Sequence, residues 1–166
     1  MKKNVFLGII FGFFAVSLNA QQHDILAFAD QYKKKEGFTV VSLGRATMKI
    51  LSLIAKSDKS DENGSEFLSK VKSIKIITSD PMPKNRMDDF VNDVVQFCQI
   101  GKLEKLIEVD EPDSSVNIYC RLNDDEITEL IILNVETNSV DAIFIKGNFS
   151  FDDISNAASK NPRIIK

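Results

Sequence analysis

The chain has 166 residues, of which 43% are hydrophobic and 27% charged, with two Cys, one His and no Trp. These figures predict one globular domain and exclude disordered, collagen-like and disulfide-dense proteins. The 21 basic and 24 acidic residues give a net charge of −3, without the basic excess typical of proteins that bind the phosphate backbone, so nucleic acid is not an expected partner.

The first twenty residues have the three-part layout of a secretory signal peptide. Lys2 and Lys3 form a positive start, an apolar stretch covers residues 5–16, and the segment ends on the small residue Ala20. The apolar stretch is shorter than the ~20 residues that span a bilayer, and no Cys directly follows it that could carry a lipid. We therefore expect cleavage after Ala20 and a periplasmic or extracellular chain without transmembrane segment or lipid anchor. That chain would carry 19 basic and 24 acidic residues, a net charge of −5.

Helices and strands alternate in the first half of the mature chain. Residues 24–35 carry apolar side chains at i, i+3, i+4 and i+7, which predicts an amphipathic helix. Residues 56–65 are almost entirely polar, which predicts a surface loop. The other predicted elements are a strand over 38–43, a helix over about 45–55, a helical turn over 66–72, a strand over 73–78 and a helix over 88–99.

The second half changes to short apolar runs separated by turn residues. The runs cover about residues 104–110, 115–123, 127–135 and 140–147. Short separators of this kind form hairpins, so these four strands should form an antiparallel meander. Ser150, with an acidic residue three positions later, predicts the N-cap of a last helix. The order of elements predicts a single α+β domain over residues 21–160, with helices packed on a mixed sheet of about six strands, and a short tail over 161–166.

The two cysteines would meet oxidising conditions in an exported chain and could pair. Cys98 lies on the apolar face of a predicted helix, whereas Cys120 points inward from a predicted strand. A helix packed on a sheet usually lies farther away than the ~7 Å between Cα atoms that a disulfide allows. Two buried free thiols are therefore expected, with a disulfide as the alternative.

Several segments resemble a known protein family. They are residues 32–37, 40–42, 73–80, 118–121, 129–133 and 147–150. Together with the leader, they are similar to a family of small exported Bacteroidetes proteins that is catalogued as a domain of unknown function, the one numbered 4252. The resemblance covers nearly the whole mature chain and implies a bacterial envelope location but no reaction. Many relatives look like lipoproteins, and this sequence departs from them because it lacks the acylatable Cys.

The sequence contains little familiar catalytic or metal-binding machinery. His23 is the only histidine, and a chain terminus cannot hold a general base in fixed geometry, so catalytic triads that need histidine are not expected. One His and two Cys cannot supply the four ligands of a structural zinc site. The acidic stretch 58–66 does not fit a calcium loop, because Lys59 and Lys70 occupy the first and twelfth positions. We therefore expect no such catalytic residue, no metal and no cofactor.

Glu129 is a carboxylate inside an otherwise apolar predicted strand. If three residues link this strand to the preceding one, Arg121 lies opposite Glu129 and a cross-strand ion pair forms. Tyr119 then lies opposite Ile131. With a two-residue turn, Glu129 would instead face Cys120 in the core, where an unpaired carboxylate is unfavourable. A structural ion pair is the favoured interpretation and a functional buried acid the alternative, so Glu129, Arg121 and Tyr119 are the candidate binding residues.

The meander strands are apolar on both faces, so each face needs a covering layer. The chain's own helices are one candidate, and a partner or second copy is the other, because large exposed apolar patches usually mark interfaces. The leading hypothesis is a non-catalytic exported module that binds an envelope protein or small ligand, or pairs with a second copy. The alternatives are a small hydrolase or isomerase that uses carboxylates such as Glu129 and Asp80, and a regulatory or stress-related accessory protein.

Overall fold

A computed structural model of the chain describes residues 23–57 and 62–159. In chain order the elements are α1 (Ile25–Asp30), β1 (Phe38–Leu43), α2 (Arg45–Ser57), α3 (Glu62–Lys70), β2 (Val71–Ser79), α4 (Lys84–Ile100), β3 (Glu104–Glu111), β4 (Ser114–Asn123), β5 (Glu126–Glu136), β6 (Val140–Phe149) and α5 (Phe151–Ser159). The predicted leader (1–20), part of the predicted loop (58–61) and the predicted tail (161–166) lie outside the described residues. Across 23–57 and 62–159, no helix combines the length and apolar character needed to cross a bilayer.

The strands form one sheet in the order β1-β2-β6-β5-β4-β3, and all five pairings are antiparallel. The single α+β domain, the six strands and the four-strand meander are therefore confirmed. The sheet is antiparallel throughout, where a mixed sheet was expected. Helices α2 and α3 connect β1 to β2, which lies beside β1 and runs antiparallel to it. A mixed sheet would have required a connection that crosses over to a parallel strand.

Helices α1 and α4 cover one face of the sheet. Helix α4 turns a stripe of apolar residues at helical spacing toward the sheet, namely Met87, Phe90, Val94, Phe97 and Cys98. Phe28 of α1 joins this layer to the sheet, since its ring centroid lies 4.5 Å from that of Phe97 and 5.8 Å from that of Phe144 in β6. Helix α1 ends at Asp30 and continues as turns, so it is shorter than predicted.

Helices α2, α3 and α5 lie on the opposite face, where they approach strands β2 and β6. A second core forms there around Met48, Ile127 and Phe149. Helix α3 begins at Glu62, inside the segment predicted as a loop, and its Phe67 ring stacks on Phe149 at 5.0 Å. The loop prediction is therefore wrong for residues 62–65, because packing of the rest of α3 outweighs the polar local composition.

Helix α3 runs into strand β2 without a connecting loop, since Lys70 ends the helix and Val71 begins the strand. Val71 lies opposite Gly147 of β6. A Cβ atom at position 147 would stand 2.7 Å from the carbonyl oxygen of Lys70 and 2.6 Å from Cε2 of the Phe149 ring, with Cζ of that ring closer still. The absence of a side chain at Gly147 therefore lets the helix end reach the sheet.

Ser150 and Asp153 form the predicted cap of α5. The backbone N–H of Ser150 donates to Asp153 Oδ2 at 2.7 Å, and the N–H of Asp153 donates to Ser150 Oγ at 3.2 Å. This reciprocal pair is a capping box with aspartate in the third position. The same carboxylate accepts a hydrogen bond from Lys70 Nζ at 2.6 Å, which joins α5 to α3.

Both cysteines are buried free thiols, as expected. Cys98 belongs to the core beneath α1 and α4, whereas Cys120 belongs to the core on the opposite face. The sheet therefore separates the two sulfur atoms. Burial raises the pKa of the Cys98 thiol to about 12, so its reactive thiolate form is scarce at neutral pH.

Candidate functional site

The predicted pair between Arg121 and Glu129 is formed. Arg121 Nε donates to Glu129 Oε2 at 2.7 Å, and Lys146 Nζ lies 3.3 Å from Glu129 Oε1. Glu129 is 8% exposed. Each of its carboxylate oxygens therefore faces a cation inside the protein.

A β-bulge sets the register of this pair. The turn between β4 and β5 has two residues, which alone would place Glu129 opposite Cys120. Thr128 is an extra residue in β5, so the pairing shifts and Arg121 lies opposite Glu129. The predicted partners are therefore correct, but the bulge produces them rather than a three-residue turn.

The ion pair extends into a chain of contacts that joins two helices to the sheet. Lys146 Nζ donates to Asp24 Oδ2 at 2.7 Å, and Asp24 also accepts hydrogen bonds from the backbone at the start of α1. At the other end, Arg121 Nη1 donates to the carbonyl of Gly101, just after α4, at 2.6 Å. Burial alone would raise the pKa of Asp24, but its hydrogen bonds to Lys146 and to the helix backbone hold it below the ordinary value. The cluster clamps α1 and α4 onto one end of the sheet.

Tyr119 remains outside this cluster. It lies opposite Ile131, as predicted, and is 7% exposed in the core beneath α1 and α4. Burial raises the pKa of its hydroxyl. In the described part of the chain, no hydrogen bond joins that hydroxyl to Arg121 or Glu129, so the structure brings together two of the three predicted residues.

The surroundings of Glu129 fit a structural role. Both oxygens of this buried carboxylate lie beside a cation, an arrangement typical of a structural ion pair. Among residues 23–57 and 62–159, no group of three or more His, Cys, Asp or Glu side chains is placed to hold a metal ion. The three cavities described next are lined by other residues.

Two of these cavities lie beside α1 and α4. One has a volume of about 320 Å³ and is lined by Tyr32, Phe38, Arg86 and Phe90 among others. The second has about 340 Å³ and includes His23 and Phe97. His23 was expected at a loose terminus, yet it is half-buried, and its Nδ1 atom has no hydrogen-bond partner among the described residues. The sequence carries no signal for this placement, because it depends on where α1 docks.

The third cavity lies between α2 and α3 and has a volume of about 490 Å³. Four cationic residues line it, namely Arg45, Lys49, Lys70 and Lys72. Lys70 is already paired with Asp153 at 2.6 Å. The remaining cations give this flank of α2 a positive charge, although the chain as a whole is acidic.

A row of aliphatic side chains crosses all six strands on the face that carries α2, α3 and α5. In sheet order, its members are Val41, Ile76, Ile143, Ile132, Ile118 and Ile107, each paired with the next. We call these six residues the apolar row. Val41 is 44% exposed, Ile118 is buried and the others are half-buried. With strands about 4.8 Å apart, the row is about 24 Å wide.

Helix α2 adds exposed aliphatic residues to the same face. Its Met48 is buried toward the second core, whereas Ile50 and Leu53 are 58% and 66% exposed. At ~100° per residue, these two lie on the side of the helix that faces away from the sheet. Leu51, on one flank, is 37% exposed. We call the apolar row together with Ile50, Leu51 and Leu53 the open face.

A family profile matches most of the chain. The family is described as a domain of unknown function (DUF4252), and the match covers residues 32–157. This range contains all six strands, the Glu129 pair and the open face. No curated protein and no solved structure matches the chain.

Proposed function

The chain belongs to the DUF4252 family, and from this premise and its surface we propose that it is a non-catalytic binding module exported to the envelope of a Bacteroidetes bacterium. The open face carries the proposal. It combines an aliphatic row about 24 Å wide with a helix that is apolar on its outer side. Monomeric proteins rarely expose contiguous apolar patches larger than a few hundred Å² unless another molecule covers them.

The placement of the carboxylates supports binding rather than two-carboxylate chemistry. Glu129 lies opposite Lys146, which in turn lies opposite Ser73 of β2. Asp80 follows the far end of that same strand. Seven residues of extended chain span about 23 Å, whereas glycosidase-type carboxylate pairs lie about 5–9.5 Å apart. The two acids are therefore too distant to act on one bond.

The shape of the open face favours a macromolecular partner over a small ligand. Small ligands bind in concave sites that bury most of their surface, whereas the open face follows the broad surface of a sheet and the outer side of a helix. An envelope protein or a second copy of the chain fits such a surface. The acidic character of the chain disfavours nucleic acid as a partner.

We expect the leader to be removed after Ala20. When the full chain is produced in its own cell with a purification tag after Lys166, the intact mass of the envelope fraction should correspond to a protein that begins at Gln21. An Ala20→Phe variant should accumulate uncleaved, because the residue before the cut must be small. Recovery of an unprocessed wild-type chain in the cytoplasm would contradict export.

We expect the open face to contact its partner in living cells. A photo-crosslinking amino acid at position 53 should yield a discrete adduct, while the same amino acid at position 100 should yield none. Leu53 and Ile100 are both 66% exposed, but Ile100 ends α4 on the other side of the sheet. Equal crosslinking at the two positions, or none at position 53, would contradict the proposal.

A further inference from the structure

We propose that the partner protein binds by adding a β-strand to the sheet: an extended segment with an apolar centre and acidic ends pairs with the outer edge of β1. The inference rests on the proposed function and specifies which part of the partner binds and where. It follows from the unpaired backbone of β1, from the difference between the two edges of the sheet, and from the charges beside β1.

Strand β1 has backbone groups that point away from the sheet. It lies at the edge of the sheet, beside β2. The N–H of Asp80 donates to the carbonyl oxygen of Gly37 at 2.9 Å, and this pair continues the register of β1 with β2. Every second residue from Gly37 onward therefore bonds to β2, so the backbone groups of Val40 and Ser42 point outward. In the described part of the chain, their N–H groups have no partner outside the sheet.

This arrangement of unpaired groups selects an extended backbone as the partner. Val40 and Ser42 each present one N–H and one C=O outward, and the two residues are about 7 Å apart along the strand. A second strand offers acceptors and donors at the same repeat, whereas a helix has already used its own backbone groups. Strand addition at an exposed sheet edge is a recurring mode of protein recognition.

The two edges of the sheet differ in their protection against such pairing. On β3, at the other edge, Glu111 and Ser114 close a two-residue turn and bond to each other, so the backbone groups of Glu108 and Asp110 point outward. Both of these residues are exposed carboxylates, and charges on an edge strand deter further pairing. Strand β1 contains no charged residue and no proline. One edge is therefore protected, and the other is open to a further strand.

Cations lie beyond both ends of β1. Residues 33–35 are three lysines just before the strand, and Arg45 and Lys49 follow it on α2; Glu36 is the only acid in these two segments. Across the described residues, neither Lys34 nor Arg45 forms an ion pair. An antiparallel second copy of β1 would bring these like charges together. A segment with acidic ends complements them instead.

The centre of the added segment should be apolar on both faces. Val41 ends the apolar row and is 44% exposed. A partner side chain opposite Val41 lies on the open face, where it continues the row and covers Val41. The next side chain of the partner strand points to the other face, beside Val40, which packs against the core beneath α1 and α4.

A pair of proline substitutions tests this mode of binding. Ser42→Pro removes an outward N–H from β1, and Asp110→Pro removes one from β3. Both variants should fold, because proline is tolerated in edge strands where the N–H faces solvent, and their melting temperatures check this. With the photo-crosslinking amino acid at position 53 in living cells, Ser42→Pro should lower the yield of the adduct by about 10-fold. Asp110→Pro should leave the yield unchanged.

The outcomes separate this inference from the proposed function. An adduct that forms equally well with Ser42→Pro would overturn strand addition, although the open face would still have a partner. The absence of any adduct from the wild-type chain would contradict the proposed function, and this inference with it.

A synthetic peptide tests the chemistry of the partner without any substitution. The probe alternates valine and threonine and carries two aspartates at each end. When it saturates the processed wild-type protein, the amide protons of Val40 and Ser42 should exchange about 10-fold more slowly in NMR measurements, while those of Glu108 and Asp110 should not change. The same peptide with lysines at its ends should bind about 10-fold more weakly. Unprotected amides at Val40 and Ser42, or equal binding of the two peptides, would overturn the inference.

Discussion

Replacing Gly147 by alanine should lower the free energy of unfolding by about 3 kcal/mol and the melting temperature by about 10 °C. The new methyl group would overlap the ring of Phe149 and stand 2.7 Å from the carbonyl oxygen of Lys70. Phe149 is 1% exposed and stacks on Phe67, so its ring has little room to move. The Lys70 carbonyl is backbone at the junction of α3 and β2, and its displacement would separate the helix from the sheet.

Gly44 provides the matched control for this substitution. A Cβ atom there meets no other atom within 4 Å, so Gly44→Ala should cost no more than about 1 kcal/mol, the effect of replacing the glycine that precedes α2. Chemical denaturation of the two variants beside the wild type measures both effects. If the two alanines prove equally tolerated, the close approach of α3 to β6 is wrong.

Replacing Glu129 by alanine should destabilise the protein by about 2 kcal/mol. The change leaves Arg121 and Lys146 close together without the carboxylate that lies between them. Loss of one partner from a fully buried ion pair costs about 3–5 kcal/mol. The smaller figure applies because both cations are partly exposed, at 29% and 28%, and Lys146 keeps its bond to Asp24.

A conservative variant separates the effect of charge from that of packing at Glu129, and a variant of an exposed ion pair provides the control. Glu129→Gln retains the shape and one hydrogen-bond acceptor, so it should lose about half as much stability. Asp88→Ala removes an exposed pair with Lys84 and should change stability by less than about 1 kcal/mol. Thermal unfolding of all three variants gives the comparison. A Glu129→Ala protein as stable as the wild type would contradict the stabilising role of the ion-pair cluster. A functional role for the carboxylate would then be favoured.

The local elements were largely predictable from the sequence because their signals are local. Alternation and turn residues predicted the meander, and the spacing between Ser150 and Asp153 predicted the cap of α5. The predicted helical turn over 66–72 covers the second half of α3, but residues 62–65 were missed, because they are polar and the position of the helix depends on Phe67 packing against a strand far along the chain. The bulge at Thr128 was also missed, since its neighbours do not distinguish it from regular strand.

The candidate site depended more strongly on tertiary structure. The pairing of Arg121 with Glu129 was predictable, because it joins adjacent strands. The apolar row was only partly foreseen: the sequence indicated that the meander strands are apolar on both faces. The extension of that row through Ile76 to Val41 requires the pairing of β2 with β6, which no local signal encodes. The exposure of Leu53 depends likewise on which side of α2 meets the sheet.

The ion pair between Asp24, at the start of α1, and Lys146 also affects the order in which the chain can fold. Asp24 accepts a hydrogen bond from Lys146, which lies 122 positions later in the chain. Strand β2 pairs on its inner side with β6, which is also near the end of the chain. The N-terminal third therefore cannot complete its contacts until nearly the whole polypeptide has emerged, since contacts between distant residues form late. Under the export proposed above, in which the chain crosses a membrane in extended form, this delay would keep the leading segment unfolded until translocation is almost complete.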